Sequence, residues 1–127
     1  MLWSMGEQRP AVWVGHLTVP VTDLARSTAF WTGLGMRSVE QNPQVTVLEL
    51  RGGTHLVLHP AEVAPVAGTE VGFDLMVEDL VATHAAWTTA GLAPSAIGHG
   101  RIHDWFTVAD PDGWVLTVNS SHVVGTV

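Results

Sequence analysis

Seven histidines, twelve carboxylates and no cysteine set the chemistry open to this 127-residue chain. Without thiolates, a bound metal would have to be held by His, Asp or Glu, and proton transfer would fall to the same side chains. No Ser-His-Asp spacing, phosphate-cradling glycine loop or paired-carboxylate motif stands out. What does recur is alternation. His16 and Thr18 share one face of an alternating stretch, His55, Val57 and His59 share one face of another, and Asp74 falls on the same face as Gly72 in a third. His16, His59 and Asp74 form one conceivable ligand set, and Asp104, Asp74 and His16 are the candidate acids or bases for metal-free catalysis. His84 sits at a core-facing helix position and reads as a packed histidine, while His99 and His122 fall near a loop and the tail.

The elements that must hold these residues come in two copies. Val21-Thr22-Asp23-Leu24 is echoed by Val77-Glu78-Asp79-Leu80 at an offset of 56 positions, and the same offset pairs Trp31 with Trp87 and Gly35 with Gly91. Each copy reads β-α-β-β-β. In the first, about 11–60, residues 12–20 alternate as a strand and Thr22 or Asp23 can cap a helix. Ser27, Phe30, Trp31 and Leu34 make its buried stripe, and Gly33 and Gly35 end it. A strand near 37–41 precedes a hairpin, 45–50 and 54–59, around Arg51-Gly52-Gly53. A linker, about 60–70, leads to the second copy, about 71–120. This has a strand at 71–77, a helix from Asp79 to Ala90 stopped by Gly91, and strands near 102–109 and 114–119 around Asp110-Pro111-Asp112-Gly113. In that turn Pro presets φ, Asp bonds back to nearby backbone and Gly accepts positive φ.

Length and 46% apolar content fit one domain across 1–127. The formal charge is −7, lysine is absent and five arginines are scattered singly, a poor match to a phosphate backbone. No apolar run approaches the roughly 18 residues that cross a bilayer, and residues 1–10 lack a signal-like core. The expectation is a cytoplasmic protein with neither nucleic acid nor membrane as partner.

The stretch from Gly15-His16-Leu17-Thr18-Val19-Pro20 through Leu24, then Phe30-Trp31 and Gly33-Leu34-Gly35, resembles the opening of the vicinal oxygen chelate superfamily. Trp105-Phe106-Thr107-Val108-Ala109-Asp110-Pro111-Asp112-Gly113-Trp114 resembles its closing strand, turn and strand. The resemblance spans roughly 12–120. It implies an α+β fold in which two tandem β-α-β-β-β modules form a curved mixed sheet around an open cavity, with helices on the convex side. Its members include metal-dependent glyoxalases, fosfomycin-modifying transferases, epimerases and extradiol dioxygenases. Others are metal-free proteins that sequester bleomycin, mitomycin and similar products. Fold alone does not choose among them.

The resemblance places metal ligands on the first and last strand of each module. His16 matches one such position, but Val57, Gly72 and Thr117 occupy the other three, and a single imidazole cannot hold a divalent ion. No metal and no other cofactor is expected. With Ala109 and Trp114 closing the last hairpin, Val108 pairs with Val115, Phe106 with Thr117 and Asp104 with Asn119. The expected cavity lining is then His16, Thr18, His55, Val57, His59, Asp74, Asp104, Phe106, Val115, Thr117 and Asn119, with Trp114 at the rim. Trp105 would face the convex side and Trp31 and Trp87 the core. Trp3, in the terminal arm, or Trp114 could cover a planar ligand.

Such a lining suits a drug-sized, largely apolar or aromatic natural product, bound without metal to give its host self-resistance. A divergent metal-dependent lyase, isomerase or dioxygenase built on His16 is the alternative, as is an accessory protein that binds a biosynthetic intermediate. The resemblance also implies a homodimer.

Overall fold

In a computed structural model, which describes residues 9–127, the alternating stretches at 16–21, 45–49, 55–60, 104–109 and 115–120 each bury one side, while 37–42 is exposed throughout. Strand β1 (His16–Val21) turns Val19 and Val21 fully inward and leaves His16 and Thr18 outward. Helix α1 (Leu24–Gly33) starts at Asp23, whose carboxylate accepts the Arg26 N–H at 3.0 Å, and buries Ser27, Thr28 and Trp31. Strands β2 (Arg37–Asn42), β3 (Val45–Glu49) and β4 (His55–Pro60) complete a four-stranded sheet of order β1-β4-β3-β2. β1 runs parallel to β4, and the other neighbours are antiparallel.

The second module repeats this plan with β5 (Leu75–Val77), α2 (Leu80–Thr89), β6 (Gly98–His99), β7 (Asp104–Ala109) and β8 (Val115–Ser120), in the order β5-β8-β7-β6. Asp79 caps α2 through the Ala82 N–H at 2.9 Å, as Asp23 caps α1. The α+β, twice-repeated architecture expected from the sequence is therefore the one observed. The two sheets share no ladder, so the face opposite the helices stays open.

Leu48, Leu56 and Leu58 lie on the buried face of the first sheet, as Phe106, Val108, Leu116 and Val118 do on the second. Complete burial of one such side chain stabilises by about 1.5–3 kcal/mol. Trp87 and His84 of α2 meet the Phe106 ring edge to face, at 5.6 and 5.1 Å between centroids. His84 Nε2 also donates to Ser95 O at 2.7 Å, so it is the packed, satisfied histidine its position suggested.

The modules are joined reciprocally. Asp112, at the tip of the β7–β8 turn, accepts the Thr22 N–H at 3.0 Å, takes the Thr22 hydroxyl and meets Arg26 Nη2 at 3.3 Å. Arg51, in the 3-10 turn Arg51–Gly53 between β3 and β4, reaches Glu78 at 2.9 Å. Thr22 and Glu78 are repeat-equivalent, so each module's last turn docks on the start of the other module's helix. The Trp114 indole N–H adds a bond of 3.0 Å to Pro20 O.

The strand expected at 12–20 begins only at His16, with Val12, Trp13 and Val14 exposed ahead of it, and two expectations about pairing in the second module also fail. The strand expected at 71–77 is broken: Glu70 bridges Val115, but regular pairing resumes only with Leu75 opposite Val118. The chain advances five positions while its partner advances three, so two residues are extruded and Gly72 leaves the ladder. The register of the last hairpin is also one residue off, because β7 and β8 pair Ala109 with Val115, Thr107 with Thr117 and Trp105 with Asn119. Among the described residues no helix is long and apolar enough to cross a membrane.

Candidate functional site

Because helices cover one side of each sheet, the opposite side is where alternating residues remain to meet a ligand. In the first module the rung next to the β3–β4 turn crosses all four strands as Arg37, Glu49, His55 and His16. Arg37 and Glu49 form an ion pair. Glu49 Oε2 accepts from His55 Nε2 at 3.2 Å, and the His55 and His16 rings lie 5.8 Å apart. A carboxylate can only accept, so it fixes the His55 proton on Nε2 and leaves Nδ1 as that ring's second polar atom. The next rung is Thr18, Val57 and Val47, and beyond it Pro20 lies opposite His59.

In the second module the corresponding rungs are Glu70, Val115 and Ala109, then Thr117 and Thr107, then Met76, Asn119, Trp105 and Gly98. Asp74 joins this face through Asn119 Nδ2, which donates to Asp74 Oδ2 at 2.6 Å. The structure thus puts His16, Thr18, His55, Val57, His59, Val115, Thr117 and Asn119 on the open faces, with Asp74 beside Asn119.

Three expected lining residues lie elsewhere. Phe106 is fully buried under α2, since the one-residue register shift carries it to the helix side. Asp104 stands at the exposed end of β7, where His99 Nδ1 meets it at 3.0 Å. Trp114 is half-buried at the junction of the modules, its N–H taken by Pro20, so it staples the modules instead of lining a rim. The same shift turns Trp105 from the convex to the open face. Trp31 and Trp87 are buried as expected, and Trp3 lies outside the described residues.

Glu49, Arg37, Trp105, Met76 and Glu70 were missed. The first hairpin carried the signal for Trp105: Leu50 N–H bonds Thr54 O just as Asp110 N–H bonds Trp114 O. A turn of that length makes Ala109 and Val115 the flanking pair, as Glu49 and His55 are in the first module. The bulge that brings Glu70 into the rung of His16 had no comparable marker.

The side chains present do not fit the metal that the fold often carries. Val57 is aliphatic and sits between Thr18 and Val47, Thr117 stands opposite Thr107, and Gly72 is extruded. Among the described residues no three His, Asp or Glu side chains come together in a group that could hold a metal ion. His16, His59 and Asp74, conceivable as a set from alternation, are among those not brought together. A groove of about 780 Å³ lies between the N-terminal arm at Trp13, the β3–β4 turn at Arg51, Gly52 and Thr54, and the C-terminal Val127.

Beneath the site, Asp110 organises the β7–β8 turn. Its Oδ1 accepts the N–H groups of Asp112 and Trp114 at 2.9 and 2.8 Å, while Oδ2 is buried without a partner. Burial raises its carboxyl above the usual carboxylate range, against the opposing pull of those N–H groups.

Paired βαβββ modules with helices outside and an open, mixed polar and apolar face inside define a class of α+β proteins. The chain belongs to the Glyoxalase/Bleomycin resistance protein/Dioxygenase superfamily, whose family model matches residues 13–123. Among solved structures it is similar to TnmS3, an antibiotic binding protein from Streptomyces sp. CB03234. The identity is 22%, the TM-score 0.75, and the match covers 89% of this chain and 98% of that one. A glyoxalase/bleomycin resistance protein from the same Streptomyces source gives 23% identity, TM-score 0.72 and coverage of 84% and 99%. Lactoylglutathione lyase from Agrobacterium tumefaciens gives 15%, 0.72, 89% and 96%. At these identities the likeness establishes the fold. No curated protein matches the chain in sequence.

Proposed function

We propose that this protein binds a small, largely apolar or aromatic natural product on its open sheet faces without a metal, and protects its host by lowering the free concentration of that compound. The observation that carries this reading is the open face itself. Aliphatic and aromatic side chains at Val47, Val57, Val115, Met76 and Trp105 alternate there with a few hydrogen-bonding groups, and three of the four positions that hold a metal in the family's enzymes carry side chains or backbone that cannot. Apolar walls with sparse polar groups suit burial of a drug-sized ligand. The antibiotic-binding neighbour supports the same reading. Because one chain leaves the faces open, a homodimer that closes them belongs to the proposal.

The test is elemental analysis of protein purified without a metal column, together with recovery of bound compound from a panel of aromatic antibiotics. Metal-free protein that releases its ligand unaltered is the expected result; a chemically changed ligand refutes sequestration. A second reading, a lyase, isomerase or dioxygenase, is favoured by one feature only, the Glu49–His55 pair beside His16, which could move a proton. Turnover stimulated by Fe(II), Mn(II), Ni(II) or Zn(II) and lost in His16→Ala would establish it.

A further inference from the structure

The charged rung of the first module ends in a ring nitrogen that the fold does not use. Glu49 sits between two donors: Arg37 Nη2 bonds its Oε1, and His55 Nε2 bonds its Oε2 at 3.2 Å. Since the carboxylate fixes the His55 proton on Nε2, Nδ1 carries the lone pair, and among the described residues nothing donates to it. The side chains of His55 and Glu49 are 31% and 22% exposed, against 77% for Arg37. Water therefore screens Arg37 strongly, while the inner pair keeps more of its mutual attraction.

His16 completes the arrangement from β1, with its ring centroid 5.8 Å from that of His55. An oxygen hydrogen-bonded to a ring nitrogen lies about 4 Å from the centre of that ring, so one oxygen can reach both imidazoles, giving its proton to one and accepting an N–H from the other. Arg37 of β2, Glu49 of β3 and His16 of β1 are the charged or titratable groups that share the rung with His55. The next rung, Thr18, Val57 and Val47, carries no charge and gives the body of a ligand a mainly aliphatic floor. Charge balance then narrows what the rung can take. With neutral imidazoles, Arg37 and Glu49 cancel, so a permanent anion meets no net positive charge, and a permanent cation finds both carboxylate oxygens already bonded. A ligand that brings an O–H and leaves its proton on Nδ1 makes His55 a cation and itself an anion beside it, and rung and ligand together stay neutral.

We infer that His55, backed by Glu49 and flanked by His16, accepts the proton of an acidic hydroxyl, a phenol or a conjugated enol, so that this protein holds its ligand as the anion. The inference rests on the binding reading above and names the group its ligand must carry. In the step the ligand's O–H bond breaks and an N–H bond forms on Nδ1; the electron pair stays on the oxygen, which His16 caps with its own N–H. Glu49 touches no ligand and is a positioning residue, holding the ring and facing the positive charge that arrives with the proton.

The probe is 7-hydroxy-4-methylcoumarin, whose phenolate absorbs at longer wavelength than its phenol, titrated with protein in the presence of EDTA at about pH 7, where an imidazole is mostly neutral. Its methyl ether, 7-methoxy-4-methylcoumarin, has no proton to give and is the control. Native protein is expected to raise the phenolate-to-phenol ratio of the bound probe about 10-fold or more over that of the free probe. In His55→Gln the phenolate band should vanish, and the preference for the hydroxy probe over the ether should fall with it. Glu49→Gln keeps an oxygen for Nε2–H but removes the charge, so the band should weaken; a band as strong as that of the native protein overturns the part assigned to Glu49. A bound probe that stays phenol, or a phenolate band that survives His55→Gln, overturns the subsite. If both probes still bind saturably in that case, the binding reading stands without it. Absence of saturable binding of both probes to the native protein overturns the two together.

Discussion

Two copies of one chain motif face a common open side here, and they differ where a ligand would meet them. Beside its turn the first module carries a charged rung, Arg37, Glu49, His55 and His16. The same rung of the second is Ala109, Val115 and Glu70. At the far end the contrast reverses: Pro20 and His59 in the first module stand where Met76, Asn119 and Trp105 stand in the second. The buried faces do not diverge in this way, since both pack a helix tryptophan, Trp31 or Trp87, onto aliphatic strand residues. Repetition has kept the core and released the open face, so the two halves can offer one ligand different chemistry.

The largest expected effect separates neighbours on one strand. Phe106→Ala empties a fully buried site under Trp87 and His84 and should cost about 3–5 kcal/mol of unfolding free energy in denaturant titration. Trp105→Leu should cost far less, because its ring is already part-exposed. Equal costs, or the reverse order, would mean that the strand is one residue out of register and that the contrast between the two open faces is misassigned.

That register is also where sequence reasoning broke down. Helices and their caps were legible because Asp23 and Asp79 precede apolar stripes at helical spacing, and the strand alternation of residues 16–21 and 55–60 was legible because burial on one side leaves a period of two. In β7 the run Trp105-Phe106-Thr107-Val108 is ambiguous, since aromatics occupy both faces and alternation alone does not say which is buried. Phe106 wins the core because α2 brings Trp87 and His84 above it, a contact between segments that no local pattern encodes. Glu70 was hidden for a similar reason: the repeat offset points to Gly72, and only the bulge, a feature of pairing, moves Glu70 into the rung. Half of the open face therefore followed from alternation, while the residues that distinguish its two ends came from tertiary contacts.

The reciprocal docking of the modules supplies a smaller effect and a sharper comparison. Asp112 is nearly buried, its side chain 4% exposed, and it satisfies both the N–H and the hydroxyl of Thr22. Asp112→Ala strands that N–H and should cost about 1–3 kcal/mol. Arg51 and Glu78 make the equivalent contact with side chains 67% and 74% exposed, so Arg51→Ala should change stability by no more than about 0.5 kcal/mol. Comparable losses from the two variants would show that the docking is symmetric in energy as well as in position.

The smallest expected effect is a slope. Asp110 and Leu50 occupy the same place in the two turns, each bonding its N–H to the carbonyl that closes the turn, but only Asp110 titrates. Its folded-state carboxyl is raised, chiefly by burial. Between the ordinary carboxylate value near 3.9 and that raised value, the native state holds the proton that the unfolded chain has released. Stability therefore falls as pH rises through the window, and the penalty is fully present above it. Asp110→Asn keeps an oxygen for the N–H groups of Asp112 and Trp114 and removes the titration. Urea midpoints measured across the acid range should then show the difference between variant and native protein moving in the variant's favour as pH rises through this window. A difference that stays flat would mean that the buried Oδ2 carries no proton in the native state at any pH of the window, and that the two turns, one built on Asp110 and one on Leu50, are electrostatically alike.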